Sequence, residues 1–174
     1  LVLPCKATHT MPLTRLILIQ HGLAVTEAVD PSRPISEEGR EEADKMARHL
    51  SACSLGSRGV LAETMLHSGK LRAEQTAQIF CTPLGAKRLD KVDGMGPNDD
   101  VSAFWDRVCE GQEGSTLSLC GHLPFLDRLA AQVLGKERVV SLTNCGPLCL
   151  EKDSTSGAWH ISWLLPVAAL LHSS

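Results

Sequence analysis

The chain predicts an α/β fold: a three-layer α/β/α domain around a mostly parallel sheet, closed by a C-terminal antiparallel hairpin. Three observations carry that expectation. Apolar strand-like runs alternate with segments of helical periodicity, which implies a sheet covered by helices on both faces. Two of the runs have a histidine at their mouths, His21 directly after Gln20 and His122 after Gly121. The last two strand-like runs lie close enough in sequence to fold back on one another.

Arg15 to Gln20 is a continuous apolar run ending in His21-Gly22, the pattern of a strand buried on both faces. Pro31 and Pro34 forbid helix in the loop that follows. Ser36 then opens a helix as its N-cap, Glu37 and Glu38 suit the first turn, and Ala43, Met46, Ala47 and Leu50 form the apolar stripe. Val60 to Leu66 predicts a second strand, weakened by Glu63 and Thr64. Leu71 to Phe80 predicts a helix with Ala73, Thr76, Ala77 and Phe80 on one face.

Lys91 to Met95 reads as a short extended piece before the turn at Gly96-Pro97-Asn98. Asp99 or Asp100 caps a helix that runs to about Cys109. Thr116 to Cys120 is a third buried strand, and a helix from Pro124 to Leu134 stops at Gly135. Leu148 to Lys152 and Trp159 to Leu164 form the hairpin around Ser154 to Gly157. No repeat or linker divides the chain, so residues 11–174 are expected as one domain, with residues 1–10 an extension before it.

With 174 residues, 43% of them hydrophobic, the chain can bury a proper core. The formal net charge is -3, tyrosine is absent, and no basic stripe interleaves with aromatics, so nucleic acid is not an expected partner. Seven cysteines form no CxxC pair and give no zinc spacing; Cys145 and Cys149 are close enough to pair, but free thiols are the simpler expectation. That usage points to a reducing, cytoplasmic setting. Leu1 to Thr10 lack the pattern of a signal peptide, and the apolar tail from Trp163 to Leu171 is too short to cross a membrane.

In an open α/β sheet the C-terminal ends of parallel strands converge on one crevice. His21 and His122 stand at two such ends, and Arg72 opens the helix after a third. Taken singly, each reads more simply as a structural histidine or a solvated arginine. Together they make a pocket for a phosphoryl group. A neutral imidazole is a nucleophile toward phosphorus, a second one stabilises charge or moves a proton, and a guanidinium at a helix N-terminus grips two phosphate oxygens at once. His9, His49, His67, His160 and His172 have no comparable placement, and no cluster has metal-ligand spacing. No metal and no cofactor is expected.

These residues resemble the histidine phosphatase superfamily, also called phosphoglycerate mutase-like, and within it the small SixA-type phosphohistidine phosphatases. The resemblance runs from Thr14 to Leu164. It rests on Gln20-His21-Gly22, then Arg33-Pro34-Ile35-Ser36 with Gly39, then Ser68-Gly69-Lys70-Leu71-Arg72-Ala73-Glu74-Gln75-Thr76, then Gly121-His122-Leu123-Pro124. It implies a metal-independent hydrolase in which His21 is the phosphorylated nucleophile and Arg72 and His122 line the phosphate pocket.

Two departures from the family pattern stand out. Gln20 replaces the usual arginine before the histidine, and Leu23 stands where an acid is common. Gln20, Gly22 and Arg33 are the expected substrate-binding residues, with Arg33 the candidate to restore the charge that Gln20 lacks and Lys70 a weaker one. Larger relatives that cleave phosphate esters insert a segment carrying a carboxylic general acid, and little room for it exists between Phe80 and Asp93. Phosphohistidine in a protein is therefore the expected substrate. The alternatives are a small phosphomonoester, or a non-catalytic module that binds phosphate or phosphoproteins.

Overall fold

The computed structural model describes residues 13–52, 63–111, 115–137 and 141–170. The expected extension over residues 1–10 lies outside them. A six-stranded sheet runs in the order β3-β2-β4-β1-β5-β6. Its strands are β1 (Arg15–Gln20), β2 (Thr64–His67), β3 (Arg88–Lys91), β4 (Thr116–Gly121), β5 (Pro147–Lys152) and β6 (Trp159–Leu164). Between them lie helices α1 (Glu37–Ala52), α2 (Leu71–Cys81), α3 (Val101–Gly111) and α4 (Phe125–Val133). The first four strands are mutually parallel, and β5 and β6 turn back antiparallel.

The sheet separates two apolar layers. Ile17 and Ile19 of β1 pack with Met46 and Leu50 of α1 and with Ala77 and Phe80 of α2. Leu16 and Leu18 point the other way, into a layer with Phe104 of α3 and Phe125, Leu126 and Leu129 of α4. Strand alternation produces this division directly. Phe104 and Phe125 meet edge to face at 5.2 Å, a favourable arrangement for two ring quadrupoles.

Helix starts follow the sequence. Ser36 Oγ accepts from the Gly39 amide at 3.1 Å and itself donates to Leu23 O. Asp100 Oδ1 accepts from the amides of Ser102 and Ala103 at the head of α3, and Asp99 accepts from Gly96 N. Gly39 is set by space: a Cβ there would lie 2.7 Å from Leu23 N and closer still to Leu23 O.

Two strand limits differ from expectation. β2 begins at Thr64 and includes His67, whereas residues 60–62 of the expected strand lie outside the described residues. The extended piece expected over Lys91 to Met95 is instead β3, Arg88–Lys91, paired in parallel with β2. β3 is an edge strand with three exposed residues and only Leu89 partly buried, so it carries no apolar run to announce it. A short 3-10 helix over Val167–Leu170 was not expected. Among the described residues, no helix is long and apolar enough to cross a membrane.

Candidate active site

The C-terminal ends of β1, β4 and β2 are neighbours in the sheet, and each delivers one of the expected site side chains. His21 follows β1, His122 follows β4, and Arg72 lies in the first turn of α2 after β2. The His21 and His122 rings stand 4.9 Å apart between centroids. Arg72 Nε lies 3.1 Å from His21 Nε2. The three residues expected to form the catalytic group are thus brought together.

His21 is fixed through its main chain. Its amide donates to Gly121 O at 3.1 Å, and its carbonyl accepts from Asn144 Nδ2 at 2.7 Å. The next amide, Gly22 N, donates to Thr76 Oγ1 at 2.9 Å. Gly22 itself is set by packing, because a Cβ would sit 2.5 Å from Ile35 Cδ1 and 3.0 Å from Cys145 Sγ.

The ring of His21 has a definite tautomer. Nδ1 lies 2.8 Å from Gly22 O. A carbonyl oxygen only accepts, so Nδ1 carries the proton and Nε2 keeps its lone pair. That lone pair accepts the Arg72 Nε–H. Burial holds the His21 pKa down at about 4; the Gly22 hydrogen bond opposes this, while the charges of Arg72, Arg33 and Lys70 add to it.

His122 is only 2% exposed, and burial lowers its pKa to about 3, helped by His21, Arg72, Lys70 and Arg33. Its Nε2 lies 2.7 Å from Ser68 Oγ, and its Nδ1 is buried without a hydrogen-bond partner. A buried lone pair without a partner costs less than a buried N–H without one. This assigns the proton to Nε2, facing Ser68.

Both imidazoles are therefore neutral near pH 7, and Arg33, Lys70 and Arg72 all bear on them. No carboxylate is among the described groups acting on either ring. Burial lowers the pKa of Arg72, and the charge of the nearby Arg33 adds to it. Such a site favours a multiply charged anion.

Arg33 reaches this position from a strained backbone, with φ at +49° in the left-handed region. The turn is closed by Arg33 N donating to Asp30 O and by Val25 N donating to Pro34 O, both at 2.9 Å. Gln20 is half-buried at the end of β1, and its Oε1 is buried without a partner. Alternation along β1 puts it on the face of Leu16 and Leu18, opposite the α2 face from which Arg72 meets His21.

Ser68, Gln75, Thr76 and Asn144 were given no role from the sequence. Gln75 Oε1 accepts from the Ile35 amide at 2.8 Å, and Thr76 is wholly buried. The spacing of Arg72, Gln75 and Thr76 as i, i+3 and i+4 was the available signal for a shared helix face. Nothing comparable marks Asn144. Among the described residues, no group of three or more His, Cys, Asp or Glu side chains is placed to hold a metal ion.

No family model matches the sequence. An uncharacterized protein of Picosynechococcus sp. (strain ATCC 27264 / PCC 7002 / PR-6) is 28% identical over 123 residues, which covers 68% of this chain and 72% of that one. Among solved structures, the protein histidine phosphatase SixA complexed with tungstate matches with a TM-score of 0.73 at 24% identity, over 90% of this chain and 99% of the other. A protein assigned as the phosphohistidine phosphatase SixA of Agrobacterium tumefaciens gives 0.72 at 20% identity with the same two coverages. A mycobacterial glucosyl-3-phosphoglycerate phosphatase with VO3 gives 0.65 at 12% identity, over 88% of this chain and 99% of that one. The chain has a phosphoglycerate mutase-like fold, which it shares with these phosphatases. SixA proteins are among the structures most similar to it.

Proposed function

We propose that the protein is a metal-independent phosphatase that works through a phosphohistidine on His21 Nε2, and that its substrate is phosphohistidine carried by a protein. The observation that carries this proposal is the His21 ring, with its proton held by Gly22 O and its one lone pair facing Arg72. A phosphoryl group docks on the Arg72 guanidinium, with Arg33 and Lys70 adding charge. The Nε2 lone pair attacks phosphorus as the bond to the leaving group breaks. Water then attacks phospho-His21, its proton passing to a phosphoryl oxygen as the P–N bond breaks, and inorganic phosphate leaves with the His21 lone pair restored. Neutral His122 turns its Nε2 proton from Ser68 Oγ to a phosphoryl oxygen, stabilising charge as it develops.

The substrate follows from the leaving group. An alkoxide leaving from a phosphate ester needs an acid, and no carboxylate acts on either ring among the described residues. A phosphohistidine ring protonated on its far nitrogen leaves as neutral imidazole and needs none. Leu23, 42% exposed just after Gly22, offers apolar contact to a protein surface rather than charge. The strained backbone of Arg33 supports a binding role, because such strain, of order 1–3 kcal/mol, is commonly kept at functional sites. The described cysteines are all free thiols, and we place the protein in a reducing, cytoplasmic setting.

Acid-quenched trapping of phosphoenzyme tests the proposal, with a phosphohistidine protein compared against sugar and nucleotide phosphates. The expected result is label on His21, formed fastest from phosphohistidine and absent in His21→Ala. Faster labelling from a small ester would move the substrate to the phosphomonoesters. Vanadate binding with no trapped phosphoenzyme from any donor would reduce the protein to a phosphate-binding module.

A further inference from the structure

We infer that Gln75 and Thr76 are positioning residues: from one face of α2 they set where His21 and Arg33 stand relative to Arg72, without touching substrate. The catalytic consequence rests on the function proposed above; the geometric claim does not.

Arg72, Gln75 and Thr76 occupy positions i, i+3 and i+4 of one helix, so their side chains share a face. Each holds a different part of the site. Arg72 meets His21 Nε2 at 3.1 Å. Thr76 donates its single hydroxyl proton to Arg72 O at 2.7 Å, which leaves its oxygen to accept Gly22 N–H at 2.9 Å. Gln75 Oε1 accepts Ile35 N–H at 2.8 Å, two residues beyond Arg33.

The Thr76 hydroxyl is fully used, and the residue is 0% exposed. Valine would fill the same space, so packing alone does not require threonine. The hydroxyl instead ties the peptide just after His21 to the helix turn that carries Arg72. Its loss would strand the buried Gly22 amide and release the loop whose placement fixes the distance from His21 to Arg72. Gln75 does the same for the left-handed turn at Arg33, whose following residues are held by this amide contact. Helix α2 thus registers two loops from distant parts of the chain against its own arginine.

The test uses matched pairs in the full chain. Thr76→Val deletes both hydrogen bonds at constant volume, and Thr76→Ser keeps the hydroxyl. Gln75→Met deletes the acceptor, and Gln75→Glu keeps one. The first readout is the His21 ring in ¹⁵N-histidine NMR, which reports the tautomer and the Arg72 contact whether or not the protein turns over. Thr76→Val is expected to shift the His21 ring signals, and Thr76→Ser to return them. The second readout is turnover: kcat falls by roughly 10²-fold in Thr76→Val, the scale for a misplaced reacting group, with most of it recovered in Thr76→Ser. Gln75→Met weakens phosphate inhibition through Arg33, and Gln75→Glu restores it. Wild-type protein without turnover, but with the expected NMR shifts, would leave the positioning intact and remove only the proposed function. His21 signals unchanged in a folded Thr76→Val, or valine and serine variants that behave alike, would overturn the inference. If Thr76→Val does not fold, the Gln75 pair decides it, and equal phosphate inhibition in its two members counts against the inference.

Discussion

Arg72 Nε donates to His21 Nε2 across 3.1 Å, so the guanidinium proposed to receive the phosphoryl group also holds the lone pair proposed to attack it. On the proposed mechanism, phosphate oxygens and the His21 lone pair compete for one N–H, so this contact orients and masks the nucleophile at once, and an anion drawn to the guanidinium frees it. A lysine ammonium cannot reproduce this, because it lacks the fixed planar fork.

Arg72→Ala is accordingly expected to lower catalytic efficiency by ~10²–10³, the usual scale for one preorganised charge-stabilising group. Arg72→Lys should recover little of that loss. Steady-state kinetics on a phosphohistidine substrate check it, and near-wild-type behaviour of the lysine variant would place Arg72 outside the reaction.

The low histidine pKa values set the acid side of the pH dependence. His21 titrates at about 4 and His122 at about 3 in the folded chain, against an ordinary 6.5. Between those limits the unfolded chain binds more protons, so stability is complete above about pH 6.5 and falls as the pH drops toward 4. His67, also lowered by burial, follows the same sign. The His21→Gln/His122→Gln double variant should lose less Tm than wild type between pH 7 and pH 4. On the proposed function, the kcat/KM of the wild-type protein should hold steady down to about pH 5 and decline as His21 takes up a proton. A midpoint near the ordinary 6.5 in that profile would contradict the neutral, buried nucleophile.

The sheet was largely legible because its central strands are buried on both faces, and burial writes itself as apolar runs: Leu16 to Ile19 in β1, and Leu117 and Leu119 in β4. Edge strand β3 was placed late because exposure had removed that signal from Arg88, Asp90 and Lys91. The His21, Arg72 and His122 group was legible for a topological reason, since parallel strands bring their C-terminal ends together. Ser68, Thr76 and Asn144 were not. Their partners lie 54, 54 and 123 residues away along the chain, and each is a common polar residue whose role exists only once the fold has made the contact.

Gly39 offers a test of the scaffold independent of catalysis. The Cβ of Gly39→Ala would meet Leu23 N at 2.7 Å and press on Leu23 O, both backbone atoms that cannot rotate aside. A cost of about 1–3 kcal/mol is expected from such overpacking, read as a lower urea midpoint with unchanged m-value. A variant as stable as wild type would mean that the Leu23 segment gives way freely.

Chelation should leave turnover unchanged. The site is built from imidazole and guanidinium groups, and among the described residues no cluster suits a metal ion. Exhaustive EDTA treatment followed by an assay is the check. Activity lost to EDTA and regained with a divalent cation would mean that a metal takes part in the reaction.

The remaining prediction separates Gln20 from Arg33. Arg33 bears on His21, His122 and Arg72, whereas alternation puts Gln20 on the opposite face of β1 with an unpartnered buried oxygen. Arg33→Ala should therefore weaken phosphate and vanadate inhibition by about tenfold or more, the loss of one charge-assisted contact of roughly 1.5–3 kcal/mol. Gln20→Arg should not tighten inhibition, since the longer side chain reaches the site only around the end of β1, where its cation meets Arg33 and Arg72 at the cost of burying charge. In the Arg33→Ala background that repulsion is reduced, and the new arginine should restore part of the lost affinity. Inhibition constants for wild type, both single variants and the double variant form a cycle. A non-zero coupling, with Gln20→Arg favourable only when Arg33 is absent, is the expected result. Strict additivity would mean that the two side chains never share the phosphate, and that Arg33 does not stand in for the charge missing at position 20.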